Sequence, residues 1–188
     1  AKYAWAMAFD SQGNLFLATG DPGLVHKITP DGKGSVFFKT GETHARALLI
    51  DAGGDLIIGT EPEGLVIRVT PKGEGFVLYQ TPKREVTALA LGPGGVIYAA
   101  AAGNKQPAAA PPPPPAPAPA PAQQAQGAQA AAAVQQAVQP APVAVPQQPA
   151  LVTGGSEVYR IEPDGYARRL WSHAQEIAYA LALDGQGR

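Results

Sequence analysis

Short apolar runs separated by turn residues recur along the chain, and apolar and polar side chains alternate inside many of them. Runs of this length bounded by Gly, Pro, Asp and Asn predict β-strands joined by tight antiparallel turns. The predicted strands fall into groups of four, at 4–9, 14–19, 23–29 and 34–39, at 45–50, 55–60, 64–70 and 75–80, and at 86–91, 96–101, 156–162 and 167–171.

The groups are copies of one another. The segment 6–19 returns as 47–60 and as 88–101, and a shortened copy begins at residue 180. The matching residues Phe9, Ile50 and Leu91 are each 41 residues apart, and Leu183 follows 92 residues later, which is 41 plus 51. A period near 40 that is built from short strands is typical of the blades of a β-propeller.

We therefore predict an all-β chain, a β-propeller fragment with three four-stranded blades and the first strand of a fourth. The predicted boundaries are 1–40 for blade one, 41–81 for blade two, 82–102 with 155–172 for blade three, 103–154 for an insert in blade three, and 173–188 for the truncated fourth blade. Both ends fall inside the repeat, so we interpret the chain as a piece of a larger propeller whose remaining blades are its first expected partners.

The insert has a different composition from the blades. Residues 106–149 contain 13 of the 20 prolines and no charged or aromatic residue. Such a segment cannot bury enough apolar surface to fold, so we predict a disordered Pro/Ala/Gln-rich loop. It leaves blade three on the face that carries the loops between blades. It is interpreted as a spacer, a lid or a docking arm for proline-binding modules.

Composition excludes several classes of function. The chain has 14 basic and 15 acidic residues and no cysteine, which argues against nucleic acid as a partner and against disulfide or thiolate chemistry. No apolar run approaches the roughly 20 residues of a membrane span. Patterns for zinc, calcium, nucleotide or serine-nucleophile sites are missing, so we expect no metal and no cofactor.

The polar residues of the inter-blade loops form the candidate binding face. Asp10, Asp51 and Asp184 also recur, but they occupy hairpin turns in which an aspartate caps its own backbone. The loops on the opposite face supply a mixed polar rim, which suits an unidentified protein or a small polar ligand. Its candidate residues are Asp21, Glu42, His44, Glu61, Glu63, Lys83, Arg84, His173 and Glu176.

Two sequence units resemble those of known propellers. The first is Ala-Phe-Asp-x-x-Gly-Asn-Leu-x-Leu-Ala-Thr at 8–19, and the second is Val-x-Lys/Arg-Ile/Val-x-Pro-Asp/Lys-Gly at 25–32, 66–73 and 158–165. Both resemble the NHL-repeat and two-component-regulator-type propellers of bacteria. The resemblance implies a non-catalytic scaffold or sensor that binds a ligand or a protein. The alanine- and proline-rich insert is associated with exported proteins, which favours a periplasmic or extracellular location.

The alternative is an enzyme, because two families of propeller enzymes have similar sequence units. Gluconolactonase-like propellers hold a divalent metal with Glu, Asn and Asp, but asparagine occurs here only at 14 and 104. Streptogramin-lyase-like propellers use a His, Glu and magnesium set that His26, His44 and His173 do not match. On this hypothesis the catalytic residues of the hydrolase or lyase would lie largely in the missing blades.

Overall fold

A computed structural model describes residues 1–105 and 154–184 of the chain. The predicted disordered insert lies outside the described residues, except for its edges at 103–105 and 154. The described strands are β1 Tyr3–Phe9, β2 Leu15–Gly20, β3 Leu24–Ile28, β4 Gly34–Lys39, β5 His44–Ile50, β6 Leu56–Glu61, β7 Leu65–Val69, β8 Gly75–Gln80, β9 Lys83–Leu91, β10 Ile97–Asn104, β11 Ser156–Ile161 and β12 Ala167–His173. Among these residues, no helix has the length and apolar character needed to cross a bilayer.

The twelve strands form three antiparallel units of four consecutive strands, which confirms the predicted blades. In each unit, strand one pairs with strand two, two with three, and three with four. Blades one and two also touch through a single backbone pair between Gly20 and His44. Residues 177–184, which belong to the predicted fourth blade at 173–188, form no strand, since a strand needs a hydrogen-bonded neighbour.

The recurring aspartates at the first hairpins of blades one and two serve the turn. The Asp10 carboxylate accepts hydrogen bonds from the backbone N–H of Gln12 and Asn14, at 2.9 and 2.8 Å. Asp51 repeats this arrangement one blade later with Gly53 and Asp55, at 2.9 and 3.0 Å. These are the local bonds expected of an aspartate that closes a turn.

The hydrophobic core lies between the blades. One cluster joins blade one, through Phe16, Ala18 and Val25, to a surface of blade two that we call its front face. The front face of blade two consists of Leu48, Ile50, Leu56, Ile58, Ile67 and Val69. A second cluster joins the opposite side of blade two to blade three and includes Ile57, Val66, Val86, Ile97 and Tyr159. Each blade is therefore stabilised mainly by its neighbours.

The first strand of every blade carries a bulge at the same repeat position. The register shifts fall at Trp5 in β1, at Arg46 in β5 and at Thr87 in β9, and these residues are 41 apart. A bulge inserts one unpaired residue and turns its side chain out of the regular alternation. Bulges thus place three chemically different side chains, Trp5, Arg46 and Thr87, at one repeat position of the first strands.

Candidate functional site

A cleft of about 250 Å³ opens where the loops of blades two and three meet. Its walls carry two acids, two bases, a histidine, a threonine and a proline. They are Thr43, His44, Glu61, Pro62, Glu63, Arg84 and Lys105. Clefts with a few converging polar groups are the usual form of small-molecule sites.

The turn between β6 and β7 forms one wall of the cleft, and it packs closely against blade three. Gly64 has a φ of +60°, and a Cβ at this position would lie 2.2 Å from the carbonyl oxygen of Lys83. Only glycine fits both this backbone conformation and this approach. The close packing holds the turn, and with it Glu61 at the end of β6, against the first strand of blade three.

A chain of charges runs across the inner wall of the cleft. Arg84 Nη2 lies 2.9 Å from Glu61 Oε1, and Arg46 Nε lies 3.8 Å from Glu61 Oε2. Arg46 also binds Glu85, with its Nη2 2.5 Å from Glu85 Oε1. The Glu61 side chain is 16% exposed, so this shared carboxylate is largely withdrawn from water. Partial burial makes such a network stronger than an isolated surface pair.

The outer wall is held more loosely. Lys105 Nζ lies 3.4 Å from Glu63 Oε2, and the Glu63 side chain is 52% exposed. Gln80 Nε2 donates to the same oxygen at 3.3 Å. The Glu63 backbone N–H donates to Glu42 Oε2 at 2.9 Å, so Glu42 fixes the backbone of this wall from behind. Exposed pairs of this kind contribute about 0–1 kcal/mol and exchange partners easily.

Aromatic rings lie beside the cleft and orient His44. Trp5 Nε1 donates to His44 Nδ1 at 3.2 Å, and Tyr3 stacks on Trp5 with ring centroids 5.2 Å apart. The Arg46 guanidinium lies 3.8 Å from the centre of the Trp5 ring. An indole N–H can only donate, so Nδ1 is the acceptor and neutral His44 carries its proton on Nε2.

Four of the nine predicted binding-face residues line the cleft, namely His44, Glu61, Glu63 and Arg84. Glu42 lies behind it, as described above. Lys83 points elsewhere, because its Nζ binds the Gly154 carbonyl oxygen. Asp21 lies at the first blade, where Lys2 Nζ is 2.6 Å from its Oδ2. The hydrogen bond and positive charge of Lys2 lower the pKa of Asp21 below its usual value.

The remaining two predicted residues form a separate group in blade three and the segment after it. His173 Nδ1 accepts the backbone N–H of Glu176 at 3.0 Å and lies 3.9 Å from its Oε2. The imidazole stacks on Trp171 with ring centroids 6.0 Å apart. This group closes the turn after β12 and does not line the cleft.

Sequence reasoning missed Trp5, Arg46 and Lys105. Trp5 and Arg46 lie on predicted first strands, whereas the candidate residues were taken from the loops. A signal was present, because positions 41 residues apart usually match, whereas Trp5, Arg46 and Thr87 differ completely. Where the residue type changes from blade to blade at one repeat position while the neighbouring positions stay the same, the side chains at that position are candidates for a function specific to each blade. Lys105 lies at the edge of the predicted insert 103–154, and its place in the cleft follows β10, which runs to Asn104 and is longer than predicted.

Within residues 1–105 and 154–184, no group of three or more histidine, cysteine, aspartate or glutamate side chains is arranged to hold a metal ion. The acids of the cleft are bound by arginine and lysine instead.

No model of a protein family matches this sequence, and comparison with curated protein sequences also finds no match. Solved structures do resemble the fold. Virginiamycin B lyase from Staphylococcus aureus aligns with a TM-score of 0.60 and 14% identity, over 98% of this chain and 47% of the lyase. A structure of the nidogen/laminin complex gives 0.62 and 10%, over 96% and 52%.

A bacterial extracellular domain is also similar. It comes from B. thetaiotaomicron, is described as part of a hybrid two-component system, and aligns with a TM-score of 0.58 and 12% identity. The alignment covers 98% of this chain and 19% of that one. These structures confirm the predicted resemblance to propellers of the bacterial type. The chain spans about half the length of the first two, and at such identities the likeness shows the fold alone.

Proposed function

We propose that this chain is part of a non-catalytic propeller scaffold or sensor that binds a polar ligand in the cleft between blades two and three. The observation that supports this function is the cleft itself, with two acids, two bases and a histidine around about 250 Å³. Propellers share a fold and differ in function, so the proposed function is supported by this site and not by the similar structures.

The hydrogen bonds of the cleft favour binding over catalysis. A general base needs a free acceptor nitrogen or oxygen within reach of the proton that it removes. The acceptor nitrogen of His44 is occupied by Trp5, and its other nitrogen carries a proton. Glu61 is held by two arginines. These groups suit the recognition of oxygen atoms and charges on a ligand.

A thermal-shift screen of charged metabolites and short peptides tests this proposal. At least one polar compound should raise the melting temperature of the parent chain, because a ligand that binds only the folded state stabilises it. The double variant Glu61→Ala/Arg84→Ala should lose that shift. This pair is chosen because removing both partners leaves no unpaired charge in the cleft.

The control is Lys72→Ala, which removes an exposed charge from the turn between β7 and β8, at the other end of blade two from the cleft. It should keep the full shift. A compound that stabilises the parent and the double variant equally binds elsewhere, and this result would contradict the proposed site.

A further inference from the structure

We propose that the cleft takes a small zwitterion, specifically a free α-amino acid, and this inference rests on the proposed function of the same site. The cleft holds two ion pairs, Glu61 with Arg84 and Glu63 with Lys105. Its four formal charges cancel. An anion would meet two carboxylates and a cation would meet two bases, whereas a ligand with both charges finds an opposite charge for each.

The two ion pairs differ in how easily a ligand can replace one of the partners. Glu63 is 52% exposed and 3.4 Å from Lys105, whereas Glu61 is 16% exposed and shared by Arg84 and Arg46. The outer pair therefore exchanges partners at small cost, because an exposed pair contributes little. The ligand's ammonium replaces Lys105 at the Glu63 carboxylate. Released from Glu63, Lys105 is available to the ligand's carboxylate.

The basic groups of the inner wall suit a carboxylate. Arg84 is held by Glu61 through Nη2, and its side chain is 38% exposed, so the open part of the guanidinium can still donate to a ligand, whereas its Nε is buried. A guanidinium that retains donor capacity is the preferred partner of a planar carboxylate. His44 adds an N–H donor, since Trp5 fixes its proton on Nε2. Arg84 and His44, together with the released Lys105, thus bind the carboxylate, and Glu63 of the outer wall binds the ammonium.

The size of the cleft limits the ligand. About 250 Å³ is below the roughly 300–1,000 Å³ of sites for drug-sized molecules. A single amino acid is of this order, and the ring of Pro62 between the two glutamates offers an apolar contact for its side chain.

Calorimetric titration with three matched probes tests the inference on the 188-residue chain. L-leucine carries both charges, isocaproate is leucine without the ammonium, and isoamylamine is leucine without the carboxylate. Leucine should bind at least about tenfold more tightly than either analogue, because each analogue leaves one charged group of the cleft without its ligand partner.

Variants assign the two ends of the ligand. Glu63→Gln should weaken leucine to the level of isocaproate and leave isocaproate unchanged or tighter. Glu74→Gln, an exposed acid in the turn between β7 and β8, is the matched control and should change nothing. Circular dichroism of each variant checks that it is folded.

Three results would overturn the inference. Isocaproate binding as tightly as leucine would show an anion site, and the proposed binding function would then survive without the zwitterion. Leucine affinity that is unchanged in Glu63→Gln would place the amino acid elsewhere. If none of the three probes binds, amino acids are rejected as the ligand. The screen of other polar compounds then still decides the proposed function.

Discussion

The front faces of blades one and two carry equivalent residues in different surroundings. In blade two, Leu48 and Ile50 pack against blade one and are partly buried. Their equivalents 41 residues earlier, Met7 and Phe9, are 67% and 69% exposed. These two positions are apolar in both blades, so their burial is decided by whether a neighbouring blade covers the face.

The two faces also differ in the contact that an aromatic side chain makes with a glycine of the neighbouring blade. At the covered interface, Phe38 of blade one lies over Gly75, where a Cβ would come within 2.4 Å of its ring. Among the described residues, the equivalent glycine of blade one, Gly34, has only Ile28 nearby, at 3.6 Å. An open cleft of about 400 Å³ lies beside Gly34 and includes Leu17 and His26. Each front face thus has a space beside this glycine that can hold an aromatic side chain. Phe38 fills the space in blade two, and the space in blade one is open.

The largest effect is expected at the centre of the covered face. Ile58→Ala should lower the free energy of unfolding by about 2–5 kcal/mol, because Ile58 is fully buried and the substitution leaves a cavity. Leu17→Ala, the equivalent change in blade one, should cost clearly less, since Leu17 is partly exposed. Urea unfolding followed by circular dichroism measures both.

Equal losses in these two variants would contradict the comparison. They would mean that the front face of blade one is covered in solution, for example by a second copy of the chain, and that the two faces share one environment.

The contrast between the faces also shows how far sequence reasoning extends. The 41-residue period predicted the strands, their pairing and the Asp10 and Asp51 turns, because each depends on residues close together in the chain. Of the nine residues expected on the binding face, the cleft brings together His44, Glu61, Glu63 and Arg84, and their role in binding stays a prediction. The period could not predict that Arg46 joins Glu61 and Glu85, because that contact depends on a bulge and on the angle between blades.

A smaller effect should separate the two glycines. Gly75→Ala should destabilise the protein by about 1–3 kcal/mol, because the new methyl group would overlap the Phe38 ring, which must move. Gly34→Ala meets only ordinary contacts and reduces the freedom of the unfolded chain, so it should stabilise by about 0.4–1 kcal/mol. Thermal unfolding of the two variants side by side measures the difference in stability.

A destabilising Gly34→Ala would indicate that an aromatic side chain already fills the space beside Gly34.

The smallest effect on stability is expected at the exposed edge of blade one. Phe9→Gln should change the free energy of unfolding by no more than about 0.5 kcal/mol, since Phe9 is 69% exposed. It should nevertheless reduce association at high concentration, because Met7 and Phe9 form part of an apolar patch that a second molecule can cover. Light scattering over a range of concentrations measures this. Lys72→Gln, an exposed change in the turn between β7 and β8, should leave association unaltered. If Phe9→Gln instead costs as much as a core substitution, the exposed face is already an interface, and the difference between the two blades disappears in solution.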